Sequence, residues 1–142
     1  MLAYESSVFS DKCLAIWSRV SLTANNNYKI AVLGAGSFGT VIANMLAANG
    51  FATTLWMRSD KQLQAISRDG ENSAYLPGYR FDSSLSFTTD LRRALESADT
   101  VFFAVPSSVL RQVAQRAKPW VNRDALLIST AKGIEADSFA LP

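Results

Sequence analysis

The chain has 142 residues, about the length of one domain, and its 49% hydrophobic and 18% charged side chains are typical of a globular protein. A net charge of +2 gives no electrostatic reason to expect nucleic acid or an anionic membrane surface as a partner. The chain has no histidine and one cysteine, Cys13, which excludes His-based triads, His/Cys metal sites and internal disulfides.

Residues 1–27 are expected to form an N-terminal extension, either helical or disordered, ahead of a domain over residues 28–142. Charged residues interrupt the apolar positions of this extension, so it does not resemble a signal peptide. No apolar run approaches the roughly 20 residues that a membrane helix needs. We expect a cytoplasmic protein without a membrane span, and we assign the extension no chemistry.

The domain begins with a short apolar strand, Ile30–Leu33, that leads directly into a glycine-rich loop and a helix. The loop has the pattern Gly34-x-Gly36-x-x-Gly39. Gly34 permits a tight turn, Gly36 lets a pyrophosphate approach the backbone, and Gly39 lets the helix pack closely on the strand. The N–H groups and the dipole at the start of the helix favour phosphate. This pattern predicts a dinucleotide-binding loop.

The alternation of strand and helix continues along the chain. A helix ending at Gly50 precedes the strand Thr53–Met57, and a capping box of Ser59 and Gln62 begins a helix that runs to about Arg68. The remaining predicted segments are a loop over residues 71–84, strands over Leu85–Thr88, Thr100–Val105 and Ala125–Ser129, a helix capped by Thr89 or Asp90 that runs through Ala98, and a helix capped by Ser107 that covers Ala117. Five strands alternating with four helices predict a Rossmann-type, doubly wound parallel α/β sheet.

Residues that are unusual for a core or a plain surface follow the carboxyl ends of the predicted strands, where ligands bind in open α/β sheets. Arg58 follows the second strand, where an arginine accommodates a 2′-phosphate and an acidic residue would favour NAD. NADP is therefore favoured over NAD, without strict exclusion of NAD; the alternative is that Arg58 is a solvated surface cation. Lys132 follows the fifth strand beside Gly133, which permits close approach of a ligand.

Several other residues near these strand ends allow two interpretations. Ser37 either donates a hydrogen bond to a phosphate or caps the helix, and both roles are compatible. Phe38 either packs against the protein or covers the pyrophosphate. Trp56, Tyr75 and Phe103 are interpreted as core or packing residues.

Five segments occur in an order that one enzyme family shares: Gly34–Thr40, Leu55–Arg58, Glu71–Gly78, Ala104–Ser107 and Lys132–Glu135. Together they resemble the cofactor half of the bacterial-type NAD(P)-dependent glycerol-3-phosphate dehydrogenases. The pieces E-N-x-x-Y-L-P-G and K-G-I-E are the discriminating ones, because many dehydrogenases share the glycine loop.

The resemblance implies hydride transfer between a nicotinamide cofactor and the glycerol 3-phosphate/dihydroxyacetone phosphate pair. It implies that Lys132 reaches both cofactor and substrate, and the expected cofactor-binding set is Gly34, Gly36, Ser37, Phe38, Gly39, Arg58 and Lys132. Family members continue into a helical domain that carries the proton-acceptor lysine, and that domain is absent from a chain ending at Pro142. The resemblance therefore implies a truncated enzyme without its own catalytic residues, and a homodimer for the full-length form.

Two other readings remain open at this point. One is a non-catalytic module that holds a dinucleotide, and the other is a different nucleotide-using Rossmann protein such as a methyltransferase. Arg58 argues against the methyltransferase reading, because an acidic residue after the second strand would be expected to bind the ribose.

Overall fold

The computed structural model describes residues 27–132, which form five strands and four helices in strict alternation. Most of the extension predicted over residues 1–27, together with Gly133, lies outside this described range. The elements in chain order are β1 (Lys29–Leu33), α1 (Ser37–Ala48), β2 (Ala52–Trp56), α2 (Asp60–Asp69), β3 (Ser86–Thr88), α3 (Leu91–Leu95), β4 (Thr100–Phe103), α4 (Ser107–Ala117) and β5 (Leu126–Ser129).

The five strands form one parallel sheet in the order β3-β2-β1-β4-β5. This is the strand order of a Rossmann-type sheet, and it confirms the predicted doubly wound fold. The central strand β1 pairs with β2 on one side and with β4 on the other, in registers that place Leu33 opposite both Trp56 and Phe103. The carboxyl ends of β1, β2 and β4 therefore lie at the same edge of the sheet.

Two apolar layers lie on opposite faces of the sheet. One layer joins the sheet to α3 and α4, and Trp56 and Phe103 belong to it, as predicted for core residues. The other layer joins the sheet to α1 and α2. Because both faces carry helices, β1 and β4 consist largely of continuous apolar runs rather than alternating ones.

The predicted ends of α1 and α2 are confirmed by local hydrogen bonds. Gly50 has a positive φ of 87°, and its N–H donates to the carbonyl of Ala47 while the N–H of Phe51 donates to that of Leu46. This pair of bonds is the glycine-dependent helix ending that the sequence predicts. The Oγ of Ser59 accepts a hydrogen bond from the N–H of Gln62, so Ser59 is the N-cap of α2.

Three predicted boundaries in the part of the chain from α3 to α4 are wrong. Asp90 caps α3 as expected, but the helix ends at Leu95 rather than Ala98, because Ser97 adopts a left-handed conformation with φ 64°. The strand β4 ends at Phe103 rather than Val105. Ser107 is the first helical residue of α4 and not its cap; Pro106 is the N-cap residue and makes no side-chain capping bond.

The loop between α2 and β3 is irregular, as predicted, but it is held in place by its own bonds. An isolated bridge joins Glu71 to Arg80, and a carboxylate oxygen of Glu71 accepts a hydrogen bond from the N–H of Gly78. The segment from residue 71 to residue 80, called the 71–80 loop below, therefore closes on itself beside the N-terminus of α1.

Candidate functional site

The glycine-rich loop connects β1 to α1 at the carboxyl edge of the sheet. Gly34 has φ 117°, and its N–H donates to the carbonyl of Trp56 at 2.9 Å. A Cβ on Gly34 would overlap the carbonyl of Ala104, and a Cβ on Gly39 would overlap the carbonyl of Gly34. These two glycines let the start of α1 lie directly against the ends of β1 and β4.

Gly36 differs from the other two glycines because a Cβ there would meet nothing within 4 Å. Its φ of −76° is one that any residue adopts, so neither the backbone nor its neighbours require a glycine. The open space beside Gly36 is where a group could approach the loop backbone closely. The sequence predicts this role for the middle glycine.

The N-terminus of α1 lies at this opening. Gly36 is the N-cap residue, and no side chain caps the helix, which leaves first-turn N–H groups without a side-chain acceptor. Ser37 is therefore not the cap that the sequence allowed. Its Oγ instead donates to the carbonyl of Tyr75 at 2.7 Å, which ties the helix to the 71–80 loop. Phe38 is 60% exposed, so its ring is not a core element.

Arg58 lies two residues beyond the end of β2, next to the strand that leads into the glycine loop. Its side chain is exposed, and within residues 27–132 no acidic side chain forms an ion pair with it. Arg58 and the glycine loop are therefore neighbours on the rim of the sheet, as the sequence predicts.

Lys132 lies at the same rim but farther along it. It follows β5, whose end is fixed by two hydrogen bonds from the backbone N–H and Oγ1 of Thr130 to the carbonyl of Phe103. Two strand spacings, about 10 Å, separate β5 from β1. Lys132 is exposed and does not belong to the immediate surroundings of the glycine loop.

Two residues of the 71–80 loop contact the glycine loop or the start of α1, and neither contact follows from the sequence. Tyr75, interpreted as a packing residue, is 53% exposed beside Ser37. Asn72, given no role, is buried and donates to the carbonyl of Ala35 at 3.0 Å and to the Oγ1 of Thr40 at 2.9 Å. The only sequence signal was the motif E-N-x-x-Y-L-P-G itself, whose polar residues have no helix or strand to place them.

A separate cleft of about 560 Å³ lies between α4 and β5, with Leu110, Ala114 and Leu127 among its lining residues. It contains no residue of the glycine loop. The cleft lies beside β5, the last strand in the order of the described sheet, and it is separate from the site at the glycine loop. Among residues 27–132, none of the helices has the length and hydrophobicity that crossing a membrane requires.

Residues 29–142 match the family model described as the N-terminus of NAD-dependent glycerol-3-phosphate dehydrogenase. The chain belongs to this family. The glycerol-3-phosphate dehydrogenase [NAD(P)+] of Teredinibacter turnerae is 47% identical over 116 residues, which are 82% of this chain and 34% of that protein. That of Saccharophagus degradans is 44% identical over 117 residues, 82% of this chain and 33% of that protein.

A solved glycerol-3-phosphate dehydrogenase has the same fold. The enzyme from Coxiella burnetii superposes with a TM-score of 0.73 at 32% identity, covering 78% of this chain and 34% of that one. The family resemblance expected from the sequence motifs is thereby confirmed. The chain spans about a third of the length of the curated glycerol-3-phosphate dehydrogenases that it matches.

Proposed function

We propose that this chain is the dinucleotide-binding part of a glycerol-3-phosphate dehydrogenase and that it holds NADPH in preference to NADH. The observation that carries the proposal is the open space beside Gly36 at the uncapped N-terminus of α1, in a chain of this family. A pyrophosphate fits this position, since it needs close backbone approach, N–H donors and the positive end of a helix dipole.

The preference for NADPH is argued from Arg58. Its guanidinium is exposed, carries no ion pair within the described residues, and follows the strand beside the glycine loop. The 2′-phosphate of NADPH adds a dianionic group that an arginine binds through two parallel hydrogen bonds. We also propose that Gly34 and Gly39 shape the loop, that Ser37 and Phe38 contact the cofactor, and that Lys132 reaches cofactor and substrate.

The bound nicotinamide would supply or accept the hydride exchanged with glycerol 3-phosphate or dihydroxyacetone phosphate. The residues of this chain would bind the cofactor and orient it. A positioned acid or base must also manage the proton on the substrate oxygen, and we propose no residue of this chain for that step. Cytoplasmic location and homodimer formation stay predictions from the sequence.

Titration of the purified chain with NADPH and with NADH tests the proposal. Binding is measured by the fluorescence of the reduced cofactor. Arg58→Glu should weaken NADPH binding about 10–100-fold, because a charge-assisted contact is replaced by repulsion, and should change NADH binding much less. Arg123→Glu makes the same change in net charge beside the separate cleft and serves as the control. Equal losses for NADPH and NADH in Arg58→Glu would contradict the 2′-phosphate role.

The second candidate function is a dinucleotide-binding module without catalysis. The site beside Gly36 favours it, because backbone N–H groups at an uncapped helix N-terminus suit phosphate binding and do not transfer a proton. An assay of dihydroxyacetone phosphate reduction with NADPH separates the two candidates. We expect binding with little or no turnover by the 142-residue chain, and measurable turnover would exclude the module reading.

A further inference from the structure

Two side-chain amide groups, the buried one of Asn72 and the half-buried one of Gln62, form a cluster that contacts the glycine loop. Asn72 is 1% exposed, and its side chain makes three hydrogen bonds. Its Nδ2 donates to the carbonyl of Ala35 and to the Oγ1 of Thr40, and its Oδ1 accepts from the Nε2 of Gln62 at 3.3 Å. A buried amide with so many partners fixes the groups around it, since each broken bond would leave a polar atom unsatisfied.

The carbonyl oxygen of Ala35 accepts two hydrogen bonds from this cluster. The Nε2 of Gln62 donates to this oxygen at 2.8 Å, and the Nδ2 of Asn72 donates to it at 3.0 Å. A carbonyl oxygen has two acceptor positions, so both are filled. Gln62 comes from α2 and Asn72 from the 71–80 loop, so two separate segments hold one oxygen of the glycine loop.

The orientation of that carbonyl decides where the neighbouring N–H points. The peptide bond between Ala35 and Gly36 is trans, so the Ala35 C=O and the Gly36 N–H point in opposite directions. With the oxygen held toward the buried amides, the N–H is directed away from them. No acceptor within residues 27–132 takes a hydrogen bond from it, and a Cβ on Gly36 would meet nothing within 4 Å.

We propose that Asn72 and Gln62 are positioning residues for the cofactor: by holding the Ala35 carbonyl they aim the Gly36 N–H at the pyrophosphate. This inference rests on the proposed function for the identity of the ligand. Both side chains act through the Ala35–Gly36 peptide and not through contact with the ligand. The contact of Asn72 with Thr40 extends the same control to the first turns of α1.

The first test uses Gln62, which is half-buried on α2 and therefore tolerant of substitution. Gln62→Met keeps the length of the side chain and its helix propensity but removes the donor to Ala35. We expect NADPH affinity to fall about tenfold, because one of two bonds fixing the peptide is lost. Affinity for adenosine 2′-monophosphate, which has no pyrophosphate, should stay within about twofold. Gln64→Met, at an exposed position of the same helix, is the matched control.

A second variant and a ligand-free measurement complete the test. Asn72→Asp is isosteric but removes both N–H donors, and we expect a larger NADPH loss than in Gln62→Met. Without ligand, exchange of the Thr40 amide, which bonds the Gly36 carbonyl at 3.0 Å, should accelerate in both variants while that of the Leu126 amide stays unchanged.

The outcomes separate this inference from the proposed function. Unchanged NADPH affinity and unchanged Thr40 exchange in folded Gln62→Met would overturn the positioning role. A parallel loss of adenosine 2′-monophosphate affinity would overturn it as well, since that indicates general disruption. If the unaltered chain binds neither dinucleotide while Thr40 exchange still responds, the proposed function fails and the fixing of the loop by the two amides stands.

Discussion

At the scale of single residues, the three loop glycines serve two physically different purposes. Gly34 and Gly39 are required by the protein itself, since a Cβ on either would overlap backbone atoms. Gly36 is not required by the protein, because its surroundings are open and its φ is ordinary. A glycine that the fold does not need is best explained by something outside the chain that approaches it.

This difference predicts opposite behaviour for two alanine substitutions. Gly39→Ala should lower the free energy of unfolding by about 1–3 kcal/mol or more, because the new methyl group overlaps the Gly34 carbonyl. Gly36→Ala should change stability by less than about 1 kcal/mol, because loss of an N-cap glycine and the reduced freedom of the unfolded chain oppose each other, while NADPH binding weakens. Urea denaturation and NADPH titration of both variants measure this; a Gly36→Ala variant as destabilised as Gly39→Ala would contradict it.

The roles of single residues were predictable where the requirement is local. The Gly34 turn and the open position of Gly36 follow from a strand that meets a helix within a few residues. The partner of Ser37 was not predictable, because it is the carbonyl of Tyr75, 38 residues away in a loop without regular structure. The burial of Asn72 depends on the same loop, and no periodicity in the sequence specifies its path.

At the scale of elements, a short turn fastens the end of the long loop to α1. The Oδ1 of Asn44 accepts from the N–H of Asp82 at 2.6 Å. The carboxylate of Asp82 in turn accepts from the N–H and the Oγ of Ser84, at 2.9 and 2.6 Å. These bonds from Ser84 stabilise the charged form, and they hold the pKa of Asp82 below its usual value.

The turn predicts a pH-dependent contribution to stability. Because the pKa of Asp82 is lower in the folded chain than in the unfolded one, the contribution is present above the unfolded pKa, about 3.9, and is lost as the pH falls through the folded value. Urea denaturation at several pH values should show Asp82→Asn less stable than the unaltered chain at pH 6, with the gap closing below about pH 4. Ser84→Ala should reduce this pH dependence, and a gap that persists in acid would argue against the mechanism.

Element boundaries were predictable where a side chain or a glycine acts on its own helix. Ser59 and Gly50 were located correctly for that reason, and Asp90 is one of the two caps that the sequence offered for α3. The predicted capping box of α2 is formed in one direction, and the side chain of Gln62 instead bonds Ala35 and Asn72. Tertiary partners of this kind override a local pattern, and the sequence does not reveal them.

At the scale of the whole molecule, alternation of strand and helix was enough to predict a parallel sheet. The strand order was not specified by that alternation, since β1 is central only because β4 pairs on its free side. The exposure of Leu126 and Leu127, 57% and 54%, follows from the position of β5 at an outer edge. The apolar run predicted a strand over Ala125–Ser129, but it did not indicate that this strand would lie at the edge of the sheet.

Cofactor binding should be visible as stability of the whole chain. With NADPH at about 100 times its dissociation constant, the free energy of unfolding should rise by about 2.7 kcal/mol, because the ligand binds the folded state only. Urea denaturation with and without NADPH measures the gain. At the same NADPH concentration Gly36→Ala should gain less; an equal gain would place the binding site away from the glycine loop.

The central position of β1 has a consequence for synthesis of the protein. Ile30 pairs with Thr100, and Lys29 exchanges hydrogen bonds with Asp99, 70 residues later in the chain. At roughly 5–20 residues per second, a ribosome needs about 4–14 s to make the second neighbour of β1 after making β1 itself. During that interval the edge of Ile30–Leu33 that will pair with β4 has no native partner, even after β1 has paired with β2, and it stays open to non-native strand pairing until β4 is made.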